Sequence, residues 1–173
     1  MLMNLETQSM LEEIQKSFGF VPNALEAMSA EPALLKAYVG IEALLPVCSL
    51  TIIEQELVML TVSVVNNCEY CVAAHSLTSK ILSSEQVESL RSHQVLGDFK
   101  LQKLRETTEQ IVRQQGHLSE QQLSEFLNAG YSRSQLLAIV LIISFKTIAN
   151  YSNNINAPEL DHVFLSKKWE ITS

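Results

Sequence analysis

Hydrophobic positions recur at intervals of three and four residues along most of the chain, the pattern of helices that bury one face. Met10, Leu11, Ile14 and Phe18 form such a stripe over residues 7–16 and just beyond, with Gly19 as its stop. After a turn at residues 20–23, Pro22 opens a short helix through Met28. Glu31 and Pro32 start another that is predicted to run to about Leu45 before Pro46 ends it. Thr51 and Glu54 have capping-box spacing, which predicts a helix over residues 52–65. Asn66 and Asn67 interrupt that apolar run, so a second helix is expected from about Cys68 to Leu82.

The second half continues the pattern. Ser83 begins a short helix with Val87 and Leu90 inward, ending near His93. Gly97 and Asp98 precede a helix over residues 99–115, on which Leu101, Leu104, Thr108, Ile111 and Val112 make a stripe and which Gly116 closes. Ser119 with Gln122, and Ser132 with Gln135, repeat the capping-box spacing around Ala129-Gly130. Such a helix–turn–helix raises a DNA-binding reading. The segment that follows is the most apolar of the chain, however, whereas a recognition helix must offer basic and polar groups to a groove. That run, residues 136–143, meets Ser144 and Lys146 well before the ~20 residues a membrane span needs, and is expected to be a buried helix. Residues 157–161 break it ahead of a tail ending at Trp169. The expected fold is all-α, a single-domain helical bundle over residues 1–173.

Composition narrows the function. Five glycines and four prolines in 173 residues are few for a β-rich or disordered chain. A net charge of −7 without a Lys/Arg cluster argues against nucleic-acid and anionic-membrane partners. Three cysteines, two of them in one CxxC, do not make a secreted disulfide framework, and no signal peptide opens the chain, so a cytoplasmic location is expected.

The chemistry concentrates in Cys68-Glu69-Tyr70-Cys71-Val72-Ala73-Ala74-His75. On a helix, Cys68, Cys71 and His75 fall within an arc of roughly 60°. A dithiol centre needs one thiol that ionises near neutral pH, a second sulfur within disulfide reach and a group that moves protons. Cys71 and His75, four apart, are the natural thiol–base pair. Cys68, at the helix start, is the natural second sulfur and the one expected to be more exposed. The positive end of the helix dipole favours Cys68 as thiolate, whereas His75 favours Cys71. Zinc binding by Cys68, Cys71 and His75 with Glu56 or Cys48 was weighed and is disfavoured, because no second CxxC or HxxxH exists. Val72 excludes c-type haem attachment. Cys48 reads as a small buried hydrophobe, and His93, His117 and His162 as solvated side chains.

Glu56, eleven intervening residues, then Cys68-x-x-Cys71-x-x-x-His75 resembles the signature of the alkylhydroperoxidase D-like branch of the carboxymuconolactone decarboxylase family, over about residues 51–80. Tyr70 departs from the best-known peroxidase members, which carry histidine there, and the chain looks closer to the peroxidase-related subgroup. The resemblance implies a thiol-dependent peroxidase that reduces hydroperoxides through Cys68 and Cys71, with Cys71 attacking peroxide and Glu56 and His75 as the proton relay. Tyr70 is a possible accessory donor. No tightly bound cofactor or metal is implied. The implied partners are an external dithiol reductant of lipoyl or thioredoxin type, or a peroxiredoxin, and further copies of the chain in a trimer or hexamer. The alternatives are a lactone decarboxylase of the same fold, which does not depend on a CxxC, and a non-enzymatic redox-sensing or zinc-binding helical assembly.

Overall fold

In the computed structural model, which describes residues 5–170, every regular element is helical. The α-helices are α1 (Leu5–Phe18), α2 (Asn23–Met28), α3 (Pro32–Glu42), α4 (Ile52–Val65), α5 (Glu69–Thr78), α6 (Ser84–Arg91), α7 (Phe99–Arg113), α8 (Glu120–Asn128) and α9 (Arg133–Asn156), with 3-10 turns at Leu45–Val47 and His162–Lys167. The expected all-α bundle is observed.

The arrangement is organised around α4. Its start is fixed locally: the Thr51 hydroxyl accepts from the Glu54 N–H, and the Glu54 carboxylate accepts from the Thr51 N–H at 2.8 Å. Apolar residues lie on all its sides, because α5, α6, α7 and α9 all pack against it. Leu57, Val58, Leu60 and Val62 have no solvent exposure. Each such side chain contributes about 1.5–3 kcal/mol of burial free energy. A smaller cluster of Ile14, Leu25, Met28 and Leu35 ties α1, α2 and α3 together.

Several boundaries differ from the sequence expectation. α3 stops at Glu42, and Pro46 sits in the first turn of a 3-10 segment, where its missing N–H costs nothing. α5 ends at Thr78 because Ser79 is extended (φ −66°, ψ 106°), and Leu82 packs into the core from beyond the helix. The apolar run of α9 is not cut short at Ser144 and Lys146. The helix reaches 24 residues, by length and composition enough to cross a membrane. Here it packs on α2, α3, α4, α5 and α7, and Lys146, Asn150 and Asn153 are buried within the protein. The tail is held rather than loose: Arg91 donates to the Lys167 and Lys168 carbonyls, and Trp169 Nε1 donates to the Arg91 carbonyl at 3.1 Å.

Candidate active site

The reversal between α4 and α5 places the first cysteine. Asn66 caps α4, Asn67 adopts the left-handed region (φ 51°), and the Asn67 and Cys68 N–H groups donate back to the Val64 and Ser63 carbonyls at 3.0 and 2.9 Å. This is a Schellman closure with asparagine, the non-glycine residue best suited to that backbone, at the left-handed position. Cys68 then serves at once as the last residue of that closure and the N-cap of α5, and Cys71 follows in the first turn of α5.

The same reversal brings Glu56 to His75. At about 1.5 Å per residue, Glu56 lies some 14 Å before the end of α4 and His75 some 9 Å into α5, so an antiparallel hairpin sets them side by side. Glu56 Oε1 is 2.7 Å from His75 Nδ1.

The third contributor is α9. Lys146, Asn150 and Asn153 recur at helical spacing on the face it turns to α5. Lys146 is 2% exposed, and its Nζ lies 2.8 Å from His75 Nε2. Asn150 Nδ2 donates to Ser63 Oγ, and Asn66 Nδ2 donates to Asn150 Oδ1. Asn153 Nδ2 donates to Cys71 Sγ at 3.3 Å and approaches Cys68 Sγ at 3.9 Å. Composition did not single out these three. Their signal was the recurrence of polar side chains at i, i+4 and i+7 on one face of α9.

Both cysteines are free thiols. Cys68 has no exposed surface and Cys71 keeps 5%, which reverses the expectation that Cys68 is the more exposed; the tail carrying Leu160 and Trp169 lies over its side of the hairpin. Cys71 borders a cavity of about 280 Å³ together with Glu56, His75, Lys146, Tyr38, Phe145 and Phe164. Cys68 borders a separate cleft of about 510 Å³ lined by Asn67, Leu160 and Trp169, while Tyr70 and Asn153 line both.

The two thiols are driven apart electrostatically. A hydrogen bond from the Cys68 thiol pulls the Cys71 thiol well below the ordinary range; burial opposes this, and the Lys146 charge adds to it. The same bond to Cys71, together with burial, pushes Cys68 up. These shifts favour Cys71 over Cys68 as the thiolate. Burial pushes the Glu56 carboxyl up, but the His75 ring at 2.7 Å and the Lys146 charge behind it outweigh this and hold Glu56 below the usual carboxylate range.

Tyr70 has a structural task. Its hydroxyl donates to Asp161 Oδ2, whose carboxylate also accepts from the Asn23 N–H at 3.3 Å, so α5, α2 and the tail meet at one point. Burial, followed by that hydrogen bond, raises the Tyr70 phenol. His75 has both ring nitrogens engaged, and among the described residues no three His, Cys, Asp or Glu side chains gather as a metal site. Cys48 is half-buried against the main core and lines none of these cavities. His93, His117 and His162 are exposed.

Residues 32–95 match the sequence model of the Carboxymuconolactone decarboxylase family. The match includes the stretch that bears the Glu56 to His75 motif. No curated protein matches the chain. Among solved structures, an uncharacterized peroxidase-related protein from Silicibacter sp. TM1040 superposes with a TM-score of 0.78 at 22% identity, covering 94% of this chain and 88% of that one. An alkylhydroperoxidase AhpD core, an uncharacterized peroxidase-related protein from Ralstonia eutropha JMP134, gives 0.78 at 20% identity over the same shares. The debrominase Bmp8 gives 0.77 at 16% identity, covering 94% and 90%. At these identities the likeness establishes the shared fold.

Proposed function

We propose that the protein is a thiol-dependent peroxidase that reduces hydroperoxides at Cys71. The observation that carries this reading is the pairing of two free thiols, Cys68 and Cys71, both within reach of Asn153 Nδ2, with Cys71 at the edge of a cavity that also holds Glu56, His75 and Lys146. The Cys71 thiolate attacks one peroxide oxygen, the O–O bond breaks, and Cys71 becomes a sulfenic acid as the other oxygen leaves and takes a proton. The Cys68 thiol then condenses with the sulfenic acid, forming the Cys68–Cys71 disulfide and releasing water. An external dithiol of lipoyl or thioredoxin type, free or carried on a protein, exchanges with that disulfide and restores both thiols. A lactone decarboxylase gives no role to this intact pair.

The protein is proposed to act as a homo-oligomer. Leu137, Val140, Ser144, Tyr151 and Ile155 are exposed on α9 and lie within about 60° of one another, on the face opposite Lys146. An uncharged stripe of this length is the kind of surface that subunits cover.

The deciding experiment adds cumene hydroperoxide to the reduced protein and follows thiol loss with turnover by dithiothreitol. Loss of two thiols per chain with catalytic consumption of peroxide supports the reading; inert thiols overturn it. The aromatic walls of the cavity, where Tyr38 and Phe145 stack at 4.5 Å, favour a second reading as reductive dehalogenase of aromatic substrates. There the dithiol supplies two electrons, the carbon–halogen bond becomes C–H, halide leaves and the same disulfide forms. Bromide release from a brominated pyrrole tests it.

A further inference from the structure

We propose that Lys146 carries the proton of Cys71 to the departing oxygen, and that Glu56 and His75 act as positioning residues for Lys146 rather than as the base that meets the sulfur. This rests on the peroxidase reading and names the acid within it.

The geometry leaves little room for the simpler thiol–histidine pair. An ammonium group has only hydrogens to offer, so Lys146 Nζ donates to His75 Nε2, and Nδ1 is then the ring nitrogen that bears hydrogen and donates to Glu56 Oε1. Both nitrogens are occupied, by Glu56 and by Lys146. Lys146 and Cys71 instead front on the same cavity, and Lys146 is the first of the charges that hold the Cys71 thiol down. One of its three hydrogens is used on His75, which leaves two for the cavity.

Charge balance points the same way. Lys146 is 2% exposed and forms no ion pair within 4.0 Å with a carboxylate of the described residues. A buried cation requires a nearby anion. The titratable groups around it are Tyr38 and Glu42 from α3, Glu56 from α4, and Cys68, Cys71 and His75 from α5. Glu42 is raised by burial, and Lys146 only partly offsets this. Glu56 is committed to His75. The Cys71 thiolate is the anion left to complete the pair.

The proton cycle closes without a further reactant. When the external dithiol reduces the disulfide, the Cys71 thiol passes its proton to the Lys146 amine, giving thiolate and ammonium. When the thiolate attacks the peroxide, the same proton passes from Lys146 to the departing alkoxide, giving alcohol and free amine while Cys71 becomes the sulfenic acid. Condensation with Cys68 releases water, and the next reduction recharges Lys146.

Two variants separate the roles. Lys146→Met removes charge and proton, whereas Lys146→Arg keeps the charge but binds its proton too tightly to release it. Iodoacetamide alkylation of Cys71 across pH reports the thiolate alone, and a single turnover with cumene hydroperoxide reports the thiolate and the proton donor together. Lys146→Met is expected to move the alkylation profile to higher pH and to slow alkylation at pH 7 about tenfold, and peroxide oxidation further, on the order of 10²–10⁴-fold. Lys146→Arg is expected to alkylate near the wild-type rate yet lose about 10²-fold in peroxide oxidation. A wild-type alkylation profile in Lys146→Met, or wild-type peroxide oxidation in Lys146→Arg, overturns the assignment. Lys146→Gln replaces the Met variant if the latter does not fold. A wild-type protein inert to hydroperoxides defeats the peroxidase reading, while the alkylation profiles still decide whether Lys146 holds the thiolate.

Discussion

Glu56 and His75 meet at 2.7 Å across the α4–α5 hairpin, the carboxylate gripping the Nδ1 side of the ring while Lys146 occupies Nε2. The ring is thereby fixed in plane and tautomer from both ends. Replacing Glu56 by Gln is expected to slow peroxide turnover by up to about 10²-fold by letting Lys146 shift, and His75→Gln to do the same. Stopped-flow oxidation measured beside thermal melts checks this. If Glu56→Gln lowers only the melting temperature and leaves the thiol chemistry unchanged, the pair is structural.

Acid stability follows from the same contact. The Glu56 carboxyl lies below its usual range in the folded protein, so it binds protons less readily there than in the unfolded chain. Its contribution to stability is complete above the ordinary carboxylate range and is lost as pH falls through the folded value. Denaturant unfolding from pH 7 to pH 3 should show a shallower acid loss in Glu56→Gln than in the wild type; equal slopes would remove Glu56 from the linkage.

Mild oxidation should join Cys68 and Cys71. The peptide carrying both is expected to lose two hydrogens by mass spectrometry, and Cys68→Ser or Cys71→Ser to abolish turnover with a dithiol. In Cys68→Ser, the sulfenic acid on Cys71 should accumulate and react with dimedone. A pair that stays reduced under conditions that oxidise glutathione contradicts the dithiol mechanism.

Tyr70 and Asp161 predict a mechanical effect rather than a chemical one. Tyr70→Phe removes the hydroxyl that ties α5 to the tail, with a cost of about 1–3 kcal/mol from an Asp161 carboxylate left short of a partner. Limited proteolysis should then cut beyond α9 more readily, and Trp169 fluorescence should shift. Peroxide oxidation of Cys71 is expected to change less than in Glu56→Gln, and a loss as large as in Glu56→Gln would make Tyr70 a participant.

A charge on the outer stripe of α9 tests assembly. Val140→Glu or Leu137→Lys is expected to dissociate the homo-oligomer, and sedimentation would show the change. A wild-type protein that sediments as a clean 19.4 kDa monomer with full thiol activity contradicts the assembly proposal.

The sequence by itself determined the helices and the order of the reactive groups along them. The Thr51, Ser119 and Ser132 caps act within one turn and form as their spacing predicts, and Ser83 starts its helix with a capping box as well. The asparagine pair that breaks the apolar run makes the reversal that carries Cys68. The pairing of Glu56 with His75 was implied by the family resemblance, and the hairpin brings the two together. The tertiary structure alone decided the rest. Lys146 meets His75 across 71 positions and Tyr70 meets Asp161 across 91, and no local preference of either residue encodes such a contact. Exposure was misread at Cys68 because a helix start is open to water only where nothing packs over it. Here the returning tail and α9 do, since burying the apolar face of α9 against α4 carries Lys146, Asn150 and Asn153 into the space beside the thiols.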